Sequence, residues 1–144
     1  MNDGNLENKI LLLVEDNPDD EELTIRSLGK IQPRVKIEVA RDWAKALDYL
    51  LGDPARPLPQ LMMLDLNLPK VDGLEVLRRV RADKRTHRLP VILFTSSKEE
   101  QDVIRGYDLG CNSYVRKPVD FAQFNKAVQE LGLYWLQLNE APPE

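Results

Sequence analysis

The feature that most restricts what this 144-residue chain can become is an alternation of short apolar runs with longer amphipathic stretches. The runs fall at residues 10–14, 35–39, 61–64, 91–94 and 113–116. Three of them, ILLLV, LMML and VILF, are continuously apolar, as strands buried on both faces must be. The second, VKIEV, alternates and reads as an edge strand with one face partly wet. Helix starts lie between the runs. Asn17 can cap a helix with Pro18 at its first position, where a missing N–H costs nothing, and Asp42 can cap the next. Asp72 with Glu75, Ser97 with Glu100 and, more weakly, Asp120 with Gln123 have capping-box spacing. After Asp120, the residues Phe121, Phe124, Val128, Leu131 and Trp135 share one helical stripe, while Leu133 and Leu136 project off it.

The pattern is (βα)5, an α/β class, and it implies a parallel sheet wrapped by helices through right-handed crossovers. For five units the doubly wound, flavodoxin-like strand order 2-1-3-4-5 is favoured, with a site outside the carboxyl ends of the strands. The expectation is one domain over residues 1–144, with a core from about 9 to 138, a polar N-terminus and a loose C-terminal tail. Residues 54–59 form a Pro-rich surface connection. The net charge of -4 argues against a nucleic-acid partner. One cysteine, Cys111, excludes a disulfide framework, and one histidine, His87, excludes a multi-histidine zinc site. Neither a signal peptide nor a bilayer-spanning run is present, so the expected compartment is the cytoplasm, without a membrane partner.

This placement puts polar groups at nearly every strand's carboxyl end: Glu15 and Asp16 after the first, Asp65 after the third, Thr95 after the fourth, Lys117 after the fifth. Strand order 2-1-3-4-5 makes these ends neighbours, so the five side chains converge on one mouth. Three crowded carboxylates repel, so one must take a raised pKa or a cation must be recruited. The donors are all hard oxygens, which selects Mg²⁺, or Mn²⁺, over zinc. Metal, lysine and hydroxyl together suit phosphoryl transfer, which needs positioning and charge neutralisation. Asp65, ionised at neutral pH, can act as the nucleophile without a general base.

The segments Val14-Glu15-Asp16-Asn17, Leu64-Asp65-Leu66-Asn67-Leu68-Pro69, Asp72-Gly73, Phe94-Thr95-Ser96 and Tyr114-Val115-Arg116-Lys117-Pro118 together resemble the CheY-like receiver domain of two-component response regulators. The resemblance covers about residues 9–138. It implies that Asp65 accepts a phosphoryl group from a histidine kinase. It also implies that Asp16, Asp65 and the backbone carbonyl of Asn67 hold Mg²⁺, with Glu15 assisting through water. Lys117 would contact the phosphoryl group, its bond to Pro118 would be cis, and Thr95 with Tyr114 would form the switch pair. The family is partly enzymatic, since such domains catalyse their own phosphoryl uptake and loss. Glu15 stands where aspartate is commoner, and Ser96 where alanine or glycine is more usual. Asn67 and Ser97 occupy positions at which the family tunes autodephosphorylation.

After Lys117 only one helix is expected, so the reading has no output domain. The segments Thr95-Ser-Ser97 and Asn112-Ser-Tyr114, with the late Tyr134-Trp135-Leu136, resemble stand-alone regulators paired with phytochrome-type histidine kinases. Two surfaces stand out. Val103, Val115, Leu133 and Leu136 are expected to form a homodimer face, and Ile25 a kinase-docking surface. Arg78, Arg79, Arg81, Lys84, Arg85 and Arg88 form a basic run that is either a solvated face or a patch for an acidic partner. The alternatives in view are a carboxylate-nucleophile, Mg²⁺-dependent phosphatase of small metabolites, and a phosphorelay intermediate or phosphate sink. The phosphatase would usually carry a second acid where this chain has Asn67.

Overall fold

The computed structural model describes residues 9–67 and 73–143. The elements are β1 (Ile10–Val14), α1 (Pro18–Ile31), β2 (Lys36–Ala40), α2 (Trp43–Leu51), β3 (Leu61–Leu64), α3 (Gly73–Ala82), β4 (Val91–Thr95), α4 (Glu100–Asp108), β5 (Ser113–Arg116) and α5 (Phe121–Leu133), with a π-helical turn over Tyr134–Leu138. The strands form one sheet in the order β2-β1-β3-β4-β5, every pair parallel, as the alternation implies.

Helix starts follow local chemistry. The Asn17 side chain accepts the N–H groups of Asp19 and Asp20 at 2.9 and 3.1 Å, with Pro18 in the first turn. Asp42 caps α2 through the Lys45 N–H, and Asp120 caps α5 through the Gln123 N–H. The expected Ser97 cap is corrected: α4 begins two residues later, with Glu99 at the N-cap and no side-chain cap bond. The Ser97 hydroxyl instead donates to Asp102 at 2.6 Å and accepts the Glu99 N–H, an alternative that the same short polar spacing supports. The Asp72 cap and the Leu68-Pro69 part of the Asp65 motif lie outside the described residues.

Successive strand residues point to opposite faces, so the sheet divides the core in two. Leu12, Val14, Met62, Leu64, Val91 and Leu93 pack with α2 and α3. Leu11, Leu13, Leu61, Met63, Ile92 and Phe94 pack with Leu28 of α1 and with Phe124 and Val128 of α5. The rings of Phe94 and Phe124 meet edge to face at 5.2 Å.

The expected α5 stripe needs two corrections. Phe121 is 62% exposed, because it sits in the first turn, beyond the sheet's reach. Leu136, expected off the stripe, is fully buried among the α1 side of the core. The cause is the π turn: each residue of a wider turn advances less than the 100° of an α-helix, so Leu136 comes back onto the buried stripe.

Gly73, the first residue of α3, lies against the backbone that carries Asp65. A Cβ there would stand 2.7 Å from Leu66 Cα and 2.8 Å from the Asp65 carbonyl oxygen. Backbone cannot swing aside as a side-chain tip can. Gly73→Ala is therefore expected to lower stability by about 1–3 kcal/mol in urea denaturation, through overpacking.

Candidate functional site

The mouth of the sheet is built by extending the parallel ladder one residue past the strand ends. Glu15 donates its backbone N–H to Ala40, Asp65 to Val14 and Lys117 to Thr95, at 3.0, 3.1 and 2.8 Å. Each of these side chains therefore leaves the sheet from a backbone already fixed by a neighbouring strand. Thr95 is itself the last residue of β4, not the first of the loop, and is fully buried. The five residues expected to converge do so.

Lys117 is the centre of the arrangement. Its ammonium donates to Glu15 Oε1 at 2.7 Å, to Asp65 Oδ2 at 2.8 Å and to Asp20 Oδ2 at 2.8 Å. Three donors meet three carboxylates, so the cation's hydrogen-bonding capacity is filled. The side chains of Lys117, Glu15 and Asp65 are 7%, 2% and 5% exposed. Asp20 is the residue that sequence reasoning missed. It stands in the first turn of α1 beside Asp19 and Glu21, and all three suit the helix dipole equally. Only the angle of α1, set by the Asn17 cap, turns Asp20 inward. The Lys117–Pro118 bond expected to be cis is trans, since the described residues contain no cis peptide; trans is the intrinsically favoured isomer.

The two buried carboxylates are shifted in opposite directions. Burial pushes Glu15 up from 4.5 to about 7, and the charge of Asp65 adds to this; the bonds from Lys117 and the Asn17 N–H offset only part. Burial would push Asp65 up as well, but Lys117, the Asn67 N–H and the Thr95 side chain outweigh it and hold the group below the usual carboxylate range. Burial pulls Lys117 down, yet its bonds to Asp20, Asp65 and Glu15 raise it above the ordinary lysine value. The site therefore presents an ionised Asp65 next to a carboxyl that is partly neutral near pH 7.

Around Asp65, Oδ1 accepts the Asn67 N–H at 3.1 Å. The Asn67 amide donates across the mouth to Thr95 Oγ1 at 3.4 Å and to Ser96 Oγ at 3.1 Å. Thr95 Oγ1 also accepts the Ser97 N–H at 3.3 Å, and the Tyr114 hydroxyl donates to the Ser97 carbonyl at 3.3 Å. Thr95 and Tyr114 are thus linked through the single residue Ser97. Cys111 is buried, and burial pushes its thiol up, away from reactivity.

Glu15, Asp16 and Asp65 offer carboxylate oxygens that all lie within 4.8 Å of one another, with Asp16 facing solvent. An all-oxygen, partly open donor set fits a hard divalent cation that keeps some of its water. Burial of Glu15 and Asp65 opposite a single lysine leaves negative charge for such an ion to neutralise.

A neutral Glu15 is favoured in the folded chain and not in the unfolded one. The stability it lends is fully present below about pH 4.5 and is lost as pH rises through about 7. Asp65 acts with the opposite sign, losing its contribution only as pH falls through the acid range. Glu15→Gln is therefore expected to flatten the fall in stability between pH 5 and 7.5 in metal-free protein. The difference from wild type should reach up to about 3 kcal/mol at the upper end, read by urea denaturation.

The profile of the response regulator receiver domain matches residues 11–129. The chain is 40% identical over 135 residues to the probable methanogenesis regulatory protein FilR2 of Methanothrix harundinacea, covering 92% of this chain and 87% of that protein. It is 34% identical over 145 residues to response regulator Rcp1 of Synechocystis sp., covering 99% of each. The crystal structure of the Mn²⁺-bound form of Rcp1 aligns with a TM-score of 0.88 at 35% identity, over 94% of this chain and 99% of that one. The bacteriophytochrome response regulator AtBRR is 50% identical, with a TM-score of 0.68, over 92% of this chain and 98% of that one.

Proposed function

Because the chain belongs to the response regulator receiver domain family, we propose that it is a phosphorylation switch whose acceptor is Asp65, supplied by the phosphohistidine of a histidine kinase. The observation that carries this is the pairing of an ionised, buried Asp65 with Lys117 at 2.8 Å, at the rim of a carboxylate cluster. Asp16, Asp65 and the backbone carbonyl of Asn67 would hold Mg²⁺, with Glu15 assisting through water, and the ion would supply charge neutralisation at the phosphoryl oxygens.

An Asp65 carboxylate oxygen attacks phosphorus, the P–N bond to the kinase imidazole breaks, and its electron pair leaves with the imidazole nitrogen. Lys117 keeps its bond to the Asp65 side and donates to the charge that develops on the transferred group. Its bonds to Glu15 and Asp20 are the ones it can give up for this. The Asn67 side chain is an amide bonded to Thr95 and Ser96, so it offers no acid of the kind a metabolite phosphatase uses two residues after its nucleophile.

The switch follows from the bonds around Ser97. Apart from the Thr95 bond to the Asp65 carboxylate, those at the Thr95 and Tyr114 hydroxyls measure 3.3–3.4 Å, at the weak end of the range, so exchanging them costs little. A phosphoryl oxygen gives the Thr95 hydroxyl a charge-assisted acceptor that exists only in the phosphorylated state. Movement of Thr95 carries Ser97 with it and frees Tyr114 to turn inward. Phosphorylation then selects this second arrangement.

The similarity to AtBRR, a bacteriophytochrome response regulator, supports a phytochrome-type kinase as the partner, and the cytoplasm is the compartment proposed for the pair. Ile25, 36% exposed on α1, is assigned to the kinase-docking surface. The homodimer face is kept without Leu136, whose side chain is fully buried. It comprises the half-buried Val103 and Val115 with Leu133, 45% exposed.

Incubation with acetyl phosphate and Mg²⁺ is expected to add one phosphoryl group by intact mass, and none in Asp65→Asn or in excess chelator. Labelling of folded Asp65→Asn at the wild-type rate would overturn the assignment. On sedimentation, the phosphorylated protein is expected to run as a dimer at tens of micromolar, and Leu133→Glu as a monomer; monomeric wild type in both states would remove the dimer face.

A further inference from the structure

The basic run in and after α3 is not one surface. Arg78 and Arg79 bond to Glu75, and Arg79 lies over the Trp43 ring. Arg81 ties two loops together through the carbonyls of His87, Leu89 and Gly110 and the Asn112 side chain. The rest of the run, Lys84, Arg85 and Arg88, turns with His87 and Arg56 into a cleft of about 650 Å³. The cleft lies between the segments that lead into β3 and β4, at the pole of the sheet opposite Asp65. No carboxylate lines it among the described residues.

Two of these cations are already fixed in place. Arg85 donates to the carbonyls of Leu50 and Arg56 at 3.2 and 3.3 Å. Arg56 donates to the Tyr49 carbonyl at 3.0 Å and sits 4.9 Å over the Tyr49 ring. Their side-chain freedom is spent in folding, so an arriving anion does not have to order them. Lys84 and Arg88 are exposed and make no ion pair among the described residues, which leaves their charge for a ligand. The remaining wall is apolar: Pro54, Pro57, Leu58 and Pro143. The volume is that of a small-molecule site, which usually falls between about 300 and 1,000 Å³.

We propose that this cleft binds a phosphate-bearing organic anion, its phosphates on Lys84, Arg85 and Arg88 and its less polar body on Pro57 and Leu58. In a chain of net charge -4 such a ligand is steered away from the acidic mouth and toward this pole. Phosphate oxygens match the guanidinium fork, and the prolines give a flat surface for a planar group.

His87 is the only histidine in the chain and lines the cleft, so its imidazole resonances report on the site without assignment. The probe is ADP, titrated in chelator at constant ionic strength and pH against full-length protein. The His87 resonances are expected to shift saturably, with half-saturation below about 1 mM. Pyrophosphate should bind more weakly, and the folded Lys84→Gln/Arg88→Gln variant should bind ADP at least tenfold more weakly. A shift equal to that given by added chloride would reduce the effect to screening and overturn the proposal. So would full ADP affinity in the double variant. Pyrophosphate binding as tightly as ADP would remove the organic body from the site. A glutamate-rich peptide saturating the shift at lower concentration than ADP would make the face a protein-docking surface instead.

Discussion

The rest of this structure depends on one ammonium group held among three carboxylates. Lys117 reaches its position from the end of β5, Glu15 from β1, Asp65 from β3 and Asp20 from α1. Four separate elements must be in register for the three bonds to form. Loss of one partner from a buried pair costs about 3–5 kcal/mol, because it leaves a charge uncompensated in a poorly solvated place. The cluster therefore ties the topology of the sheet to the chemistry at its rim. It is also under-neutralised, with one fixed cation for three acids; burial, with the Asp65 charge adding to it, keeps Glu15 partly protonated near pH 7.

That imbalance is what makes the mouth responsive. A site in which every charge were matched would gain nothing from a metal ion and would resist a phosphoryl group. In the proposed mechanism a divalent cation would replace the missing positive charge, and a phosphoryl group, carrying roughly -1.5 to -2 at neutral pH, would give Lys117 a stronger partner than Asp20 or Glu15. The backbone around the site is held by ladder bonds, so the adjustment falls on side chains. In the proposed switch Thr95, Ser97 and Tyr114 provide it, joined to one another by bonds of 3.3 Å. On that proposal the rigid part of the fold sets the geometry, and the segment after β4 reads it out.

Much of this was legible in the sequence, because five apolar runs with capped helices between them leave few arrangements open. The site followed once strand order placed the ends of β1, β3, β4 and β5 side by side. What remained hidden depended on geometry that local pattern does not carry. Asp20 was one of three acids in a helix turn, and only the helix's angle chooses among them. Ser97 could cap α4 or bond to Asp102, and the spacing allows both. Leu136 looked exposed because a regular helix was assumed, whereas the π turn rotates it inward. The basic run looked uniform until folding assigned Arg81 and Arg85 to backbone carbonyls and left Lys84 and Arg88 unpaired among the described residues.

The central claim is that Lys117 exchanges carboxylate partners for a phosphoryl group on Asp65. A crystal structure of the protein with Mg²⁺ and beryllofluoride, which stands in for that group, tests it most directly. The account predicts beryllium bonded to an Asp65 oxygen, Lys117 Nζ withdrawn from Asp20 toward a fluoride, and the Thr95 hydroxyl donating to another fluoride. An adduct on Asp65 that leaves Lys117 bonded to Glu15 and Asp20, with Thr95 unmoved, would contradict it.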